Sequence, residues 1–286
     1  MWIAKARDGS WLISRQDLLT IPLATMDTRL NGQRALVCGS TQGIGKATAM
    51  ELARSGASVT LLARDEEKLK STLAQLDRSQ GQEHSILRVD MSDTIAMASV
   101  IGEYAVLHPV DILVNNTGGP PTGLAHEAEI TAFENAFRQH LLGFQTLVRA
   151  LVPGMKARKH GRIVNVISTS VKQPLPNLGV SNTIRGAVAN WGKTLANELG
   201  PYGITVNNVL PGATGTERLS TIITNKATKN GDTEAAVTVE MLSEIPLRRF
   251  AEPEEIAYAI TFLAGPSGAY INGINLPVDG GRTACL

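Results

Sequence analysis

The stretch RALVCGSTQGIGKA, residues 34–47, constrains this chain more than any other. An apolar, β-rich run ends in a turn that holds Gly39, Gly43 and Gly45, and a helical pattern opens at Ile44. A glycine at the strand end allows positive φ, a second lets main-chain N–H groups approach a pyrophosphate, and a third lets helix and strand pack closely. A glycine triplet alone is weak, but one that follows a strand and opens a helix has that specific use.

The same alternation continues along the chain. SVTLLA (58–63), HSILRVD (84–90), DILVNN (111–116), RIVNVIS (162–168), ITVNNVLPG (204–212) and GINLPVDGG (273–281) read as strands. Helical patterns lie between them, at 44–55, from Asp65 onward with Leu69, Leu73 and Leu76 on one face, at about 131–159 and at 177–199. Strands alternating with helices make right-handed βαβ units, so the expected fold class is α/β: a single-domain, doubly wound parallel sheet with helices on both faces. That domain is expected to span 27–286, with residues 1–26 as an N-terminal extension the fold can do without. Residues 213–252 break the rhythm, and their place after a strand's carboxyl end predicts a lid over the site.

Composition narrows the function classes. The 27 basic and 26 acidic residues are spread evenly, so nucleic acid is not an expected partner. No apolar run reaches the roughly 18 residues of a membrane span. Cys38 and Cys285 form neither a disulfide framework nor a metal-spaced cluster, which predicts no metal and a reducing, cytoplasmic compartment. Residues 1–25 lack the continuous apolar segment of a secretory signal.

Cofactor choice is read at the end of the second strand. An acid there would suit the ribose of NAD, whereas Ala63 holds the place and Arg64 follows it, which favours NADP over NAD. Asp65 is a competing partner for Arg64.

Together these motifs resemble the short-chain dehydrogenase/reductase family, and especially its 3-oxoacyl-carrier-protein-reductase-like branch, over about residues 29–286. CGSTQGIG is similar to the family's TGxxxGIG turn, with Cys38 for Thr, and the resemblance brings Ser40, Thr41 and Ile44 to the cofactor beside the glycines. It further implies a Rossmann fold, adenine contacts from Asp90 and Met91, and the NNAG motif at Asn115, Asn116 and Gly118, with Thr117 for Ala, of which Asn116, Thr117 and Gly118 are expected at the cofactor. Pro211, Gly212, Thr214 and Thr216 match the segment that borders nicotinamide, and a homo-oligomer, tetramer or dimer, is expected.

The departures concentrate where the family does its chemistry. Ser168 matches the catalytic serine, but counting 13 residues onward reaches Ser181 where the family has Tyr, and Arg185 stands in place of Lys. His140 occupies the position of the family's helix asparagine. Ser181 and Arg185 share a helix face; the arginine can bind ribose hydroxyls but stays charged, and a serine hydroxyl is a poor proton source. His140 is therefore the expected acid, with Lys172 as a second candidate. The expected function is NADP(H)-dependent oxidation or reduction of a small carbonyl, alcohol or imine. Binding of a nucleotide or other ligand without hydride transfer, and non-redox lyase or isomerase chemistry on Ser168, Ser181, Arg185 and His140, stay open. Gly118 to Gly123, Glu217, Arg218, Arg248 and Arg249 are expected to border the substrate.

Overall fold

The computed structural model describes residues 26–285, so the expected N-terminal extension, Met26 apart, lies outside the described residues. The strands are β1 (Arg34–Cys38), β2 (Ser58–Ala63), β3 (Ser85–Arg88), β4 (Ile112–Asn115), β5 (Gly161–Val166), β6 (Ile204–Pro211) and β7 (Asn275–Val278). They form one seven-stranded sheet in the order β3-β2-β1-β4-β5-β6-β7, and every neighbouring pair is parallel. The order reverses between β1 and β4, which is where a ligand crevice opens in such sheets.

Helices α1 (Gly43–Arg54), α2 (Glu66–Leu73) and α3 (Thr94–Leu107) make the first crossovers. They are followed by α4 (Ile130–Phe137), α5 (Gly143–Arg158), α6 (Gly179–Leu199), α7 (Glu217–Asn230), α8 (Glu234–Ser243) and α9 (Pro253–Ala264). Period-two alternation along each strand divides its side chains between two layers. Leu36 and Cys38 of β1 pack with Phe144, Leu147 and Val188 on one face. Ala35 and Val37 pack with Leu52, Ile256 and Ile260 on the other.

The helix expected over 131–159 is interrupted. A π-helical turn, Arg138–Leu142, separates α4 from α5 and carries His140 inward. Such a turn adds a residue to the repeat, so the side chains before and after it change face.

A row of asparagines crosses the carboxyl half of the sheet. Asn115 Nδ2 donates to Asn165 Oδ1, Asn165 Nδ2 to Asn208 Oδ1 and Asn208 Nδ2 to Asn275 Oδ1, each at 2.8 Å. The register places these residues opposite one another on β4, β5, β6 and β7. Each amide thus obtains a partner that an apolar surrounding would deny it, while Asn115 Oδ1, at the end of the row, accepts no hydrogen bond. Above the row lies Gly192 of α6, whose absent Cβ would stand 2.8 Å from Asn208 Oδ1.

Candidate active site

The crevice at the sheet's carboxyl edge is a cavity of about 760 Å³. Its floor at β1 is the glycine turn. Gly39 has φ +58°, and a Cβ on Gly45 would stand 2.1 Å from the Gly39 carbonyl oxygen, so no larger residue fits between turn and helix. Asn116, just past β4, donates from Nδ2 to the carbonyls of Cys38 and Gly39 at 3.2 and 3.3 Å, tying the two strand ends together. No side chain caps α1, leaving its first-turn N–H groups directed at the crevice, where an anion is favoured. Thr41, Gly43, Ile44, Thr117, Gly118, Pro211, Gly212, Thr214 and Thr216 also line the cavity.

Ser40 and Gly45 do not line it. The Ser40 hydroxyl is buried and donates to the Leu62 carbonyl at 3.4 Å, so this expected cofactor contact is turned toward β2. Gly45 serves the cradle by its smallness alone.

Beyond the glycine turn, Ala63, Arg64, Asp90 and Met91 form one end of the cavity. Arg64 is mostly exposed and stands 3.8 Å from Asp90 Oδ2. Asp65 does not take Arg64: its carboxylate accepts from Lys68 N at 3.0 Å and caps α2. Burial works against ionisation of Asp90, but hydrogen bonds from Ser92 and the Arg64 charge hold its carboxyl below the usual range. This end thus presents one exposed cation beside one hydrogen-bonded carboxylate.

Ser168, Ser181 and Arg185 also line the cavity. Ser181 and Arg185 lie on the buried stripe of α6 that continues through Val188, Ala189 and Gly192. Arg185 is only 7% exposed. Its Nη1 donates to the Val166 carbonyl at 2.8 Å, while Nε has no protein partner. Burial, and then the charge of Arg218, bring its pKa down to about 10. The side chain is still a cation at neutral pH.

His140 runs against its expected role. It is fully buried, lies outside the lining of the cavity, and neither ring nitrogen makes a hydrogen bond of standard geometry. Its ring meets Phe144 edge-on at 6.2 Å. Burial, and then the Arg185 charge, push its pKa down to about 2, against an opposing influence from the Gly118 main chain. At neutral pH it carries no proton beyond its neutral tautomer, so it cannot serve as a charged acid. Lys172 is also outside the lining, and the lining holds no Tyr, His or Cys.

Residues 213–252 fold into α7 and α8. Arg218, Leu219, Ile222, Asn225, Lys226 and Lys229 recur at helical spacing along the face of α7 that covers the cavity. Arg248 and Arg249, expected at the substrate, do not line it. Arg248 donates to the Ser243 carbonyl, and Arg249 makes a bidentate pair with Glu255 at 2.6 and 2.7 Å. The structure adds Gln139, which donates to Thr117 Oγ1 at 2.8 Å, and Arg282, paired with Glu244 of the adjoining wall. Gln139 adjoins His140 and Arg282 follows the 273–281 segment, but no residue spacing marks either as a lining group.

An open parallel sheet with a glycine-floored crevice at its switch point defines a nucleotide-binding α/β protein, and similarity to known proteins narrows the class. The family model described as Enoyl-(Acyl carrier protein) reductase matches residues 39–283. The chain is 35% identical over 264 residues to glucose 1-dehydrogenase of Gluconobacter oxydans, covering 89% of this chain and 93% of that one. It is 32% identical over 255 residues to the 3-oxoacyl-acyl-carrier-protein reductase FabG of Vibrio cholerae, covering 88% and 98%. Among solved structures, L-sorbose reductase of Gluconobacter frateurii, complexed with NADPH and L-sorbose, superposes with a TM-score of 0.85 at 30% identity, covering 91% of this chain and all of that one. The chain belongs to the short-chain dehydrogenase/reductase family.

Proposed function

We propose that this protein is an NADP(H)-dependent oxidoreductase acting on a small carbonyl, alcohol or imine through an altered catalytic centre. The observation that carries this reading is the cradle, in which Gly39 and Gly45 leave no room for a side chain and α1 opens uncapped toward the cavity. These features fit the pyrophosphate of a dinucleotide. Arg64 fits a 2′-phosphate, Asp90 and Met91 fit the adenine end, and Asn116 braces the turn. The NADPH complex of L-sorbose reductase from Gluconobacter frateurii supports the same choice of cofactor.

When bound, the dinucleotide supplies or accepts a hydride. The chain's own residues then have separable tasks. Arg185, fixed by Val166, offers its remaining donors to ribose hydroxyls. Ser168 and Ser181 donate hydrogen bonds to the substrate oxygen, and the Arg185 charge lowers the cost of negative charge gathering there. Water entering the cavity carries the proton to or from that oxygen. His140 stays neutral behind Gly118 and shapes the wall.

Magnitudes allow such a site to work. A positioned acid contributes ~10²–10⁴-fold, and its loss leaves the roughly 7–11 kcal/mol available from holding the reactants in contact. A second reading, nucleotide binding without turnover, is favoured by the lining's lack of any Tyr, His or Cys.

Separate titrations with NADPH and NADH, followed by heat or fluorescence, test the cradle. Micromolar NADPH binding with weaker NADH binding is expected, and no saturable binding of either would overturn the proposal. Consumption of NADPH across a carbonyl and imine panel then separates turnover from binding alone.

A further inference from the structure

We propose that the substrate of this cavity is an anion, a small carboxylate, and that Arg218 is the residue that recognises it. This rests on the reading of the cavity as a substrate site above a bound dinucleotide.

Arg218 and Arg185 line the cavity, and neither has an ion-pair partner among the described residues. Arg218 reaches from α7 across the opening, donating from Nη2 to the Pro120 carbonyl at 2.6 Å. Its guanidinium lies 3.4 Å from where a Cβ of Gly119 would be. Arg185 lines the same cavity, is only 7% exposed, and its buried Nε has no hydrogen-bond partner. Among the described residues no carboxylate pairs with either arginine, and the Arg218 charge bears on Arg185.

Every carboxylate that lines the cavity is engaged elsewhere. Asp65 caps α2, and Asp90 takes Ser92 and Arg64. Glu217 accepts from Gln42 at 3.1 Å, and Glu244 pairs with Arg282. Of the other cations of the same helix, Lys226 pairs with Glu240 at 2.8 Å, whereas Lys229 donates to the neutral Asn177 side-chain oxygen at 3.3 Å and adds to the positive charge of this wall. Two like charges facing one partly buried cavity without a counter-ion are destabilising unless a ligand supplies it. A guanidinium with one edge held by a main-chain carbonyl keeps donors to meet a carboxylate.

The cofactor's phosphates are a rival source of negative charge, and helix geometry separates the two. Glu217 points at Gln42, the residue before α1, which is the pyrophosphate side of the cavity. The next residue along a helix turns away by about 100°, and Arg218 accordingly faces Gly119 and Pro120 instead.

The test uses malonate as an unreactive probe, with malonamide as its neutral counterpart, titrated calorimetrically into the NADP⁺-loaded protein. Saturable malonate binding is expected, with none for malonamide. Arg218→Gln weakens it roughly 10- to 100-fold, the scale of one hydrogen bond to a charged group, Arg218→Lys restores part of it, and NADPH affinity moves by less than about threefold. Should a variant fail to fold, phenylglyoxal modification of the wild type replaces it: malonate, and not malonamide, protects Arg218 in the mass spectrum. No malonate binding, equal binding in Arg218→Gln, or no protection would overturn the proposal while leaving the cofactor reading intact. A loss of NADPH affinity as large as that of malonate would also overturn it, because it would assign Arg218 to the cofactor's phosphates. Failure of the wild type to bind NADPH would remove the reading on which the proposal stands.

Discussion

Gly192 of α6 lies directly over Asn208 of β6, so close that a Cβ would stand 2.8 Å from the Asn208 Oδ1 and 3.0 Å from the Asn165 Nδ2. The main chain of the same helix is in contact too, with Asn208 Nδ2 3.4 Å from the Ala189 carbonyl. Since α6 also carries Ser181 and Arg185, the depth at which it sits on the asparagine row sets where those groups enter the cavity.

Gly192→Val is therefore expected to destabilise the protein by about 1–3 kcal/mol, the usual cost of overpacking, and to weaken NADPH binding through displaced Arg185. Urea unfolding and a cofactor titration on the same variant check both halves. A variant of unchanged midpoint would show that α6 is free to lift.

Arg64 is exposed and its only ion-pair partner among the described residues is Asp90, at 3.8 Å. Arg64→Ala is expected to weaken NADPH roughly 10- to 100-fold, as for the loss of a hydrogen bond to a charged group, and to leave NADH nearly unchanged. The ratio of the two dissociation constants is the measurement, and a preserved ratio would remove Arg64 from cofactor selection.

The rate should be insensitive to pH. The lining lacks Tyr, His and Cys, and Arg185 keeps its proton until about 10. We expect kcat/KM to stay level within about threefold from roughly pH 6 to 9. An inflection near neutrality would reveal a proton donor brought in by substrate or closure.

Stability, in contrast, should depend on acid. The His140 pKa falls from 6.5 to about 2 on folding, so below neutrality the unfolded chain binds a proton the folded chain refuses. Stability then falls as pH drops through the unfolded value, by ~1.4 kcal/mol per unit from this group. His84 and His160, also lowered by burial first, act in the same sense. His140→Leu should flatten the slope of the unfolding free energy between roughly pH 6 and 4; an unchanged slope would mean that the ring is solvated in the folded state.

The sheet was legible because its strands are short Val, Ile and Leu runs closed by turn residues, and SVTLLA became β2 without a residue of difference. The glycine turn was legible for the same local reason. What escaped depends on which way a helix faces. Nothing in QHLLGF shows that a π turn would carry His140 into the core, and Arg218 and Arg249 are equivalent in sequence, though one meets Pro120 and the other Glu255. One signal was readable in principle. Asn115, Asn165, Asn208 and Asn275 stand inside strands, where asparagine is disfavoured, and such residues ask for partners on the neighbouring strand.

That row also acts as a gauge. A strand slipped by a single residue turns every side chain to the opposite face, so any misaligned member would drop its amide among Val164, Val166 and Val209 of the other layer and strand its neighbours' amides. The penalty falls on wrong alignments more than it rewards the right one. Four chain segments scattered across 161 positions, from Asn115 to Asn275 counted inclusively, thereby check one another's alignment before the cavity above them can take its shape.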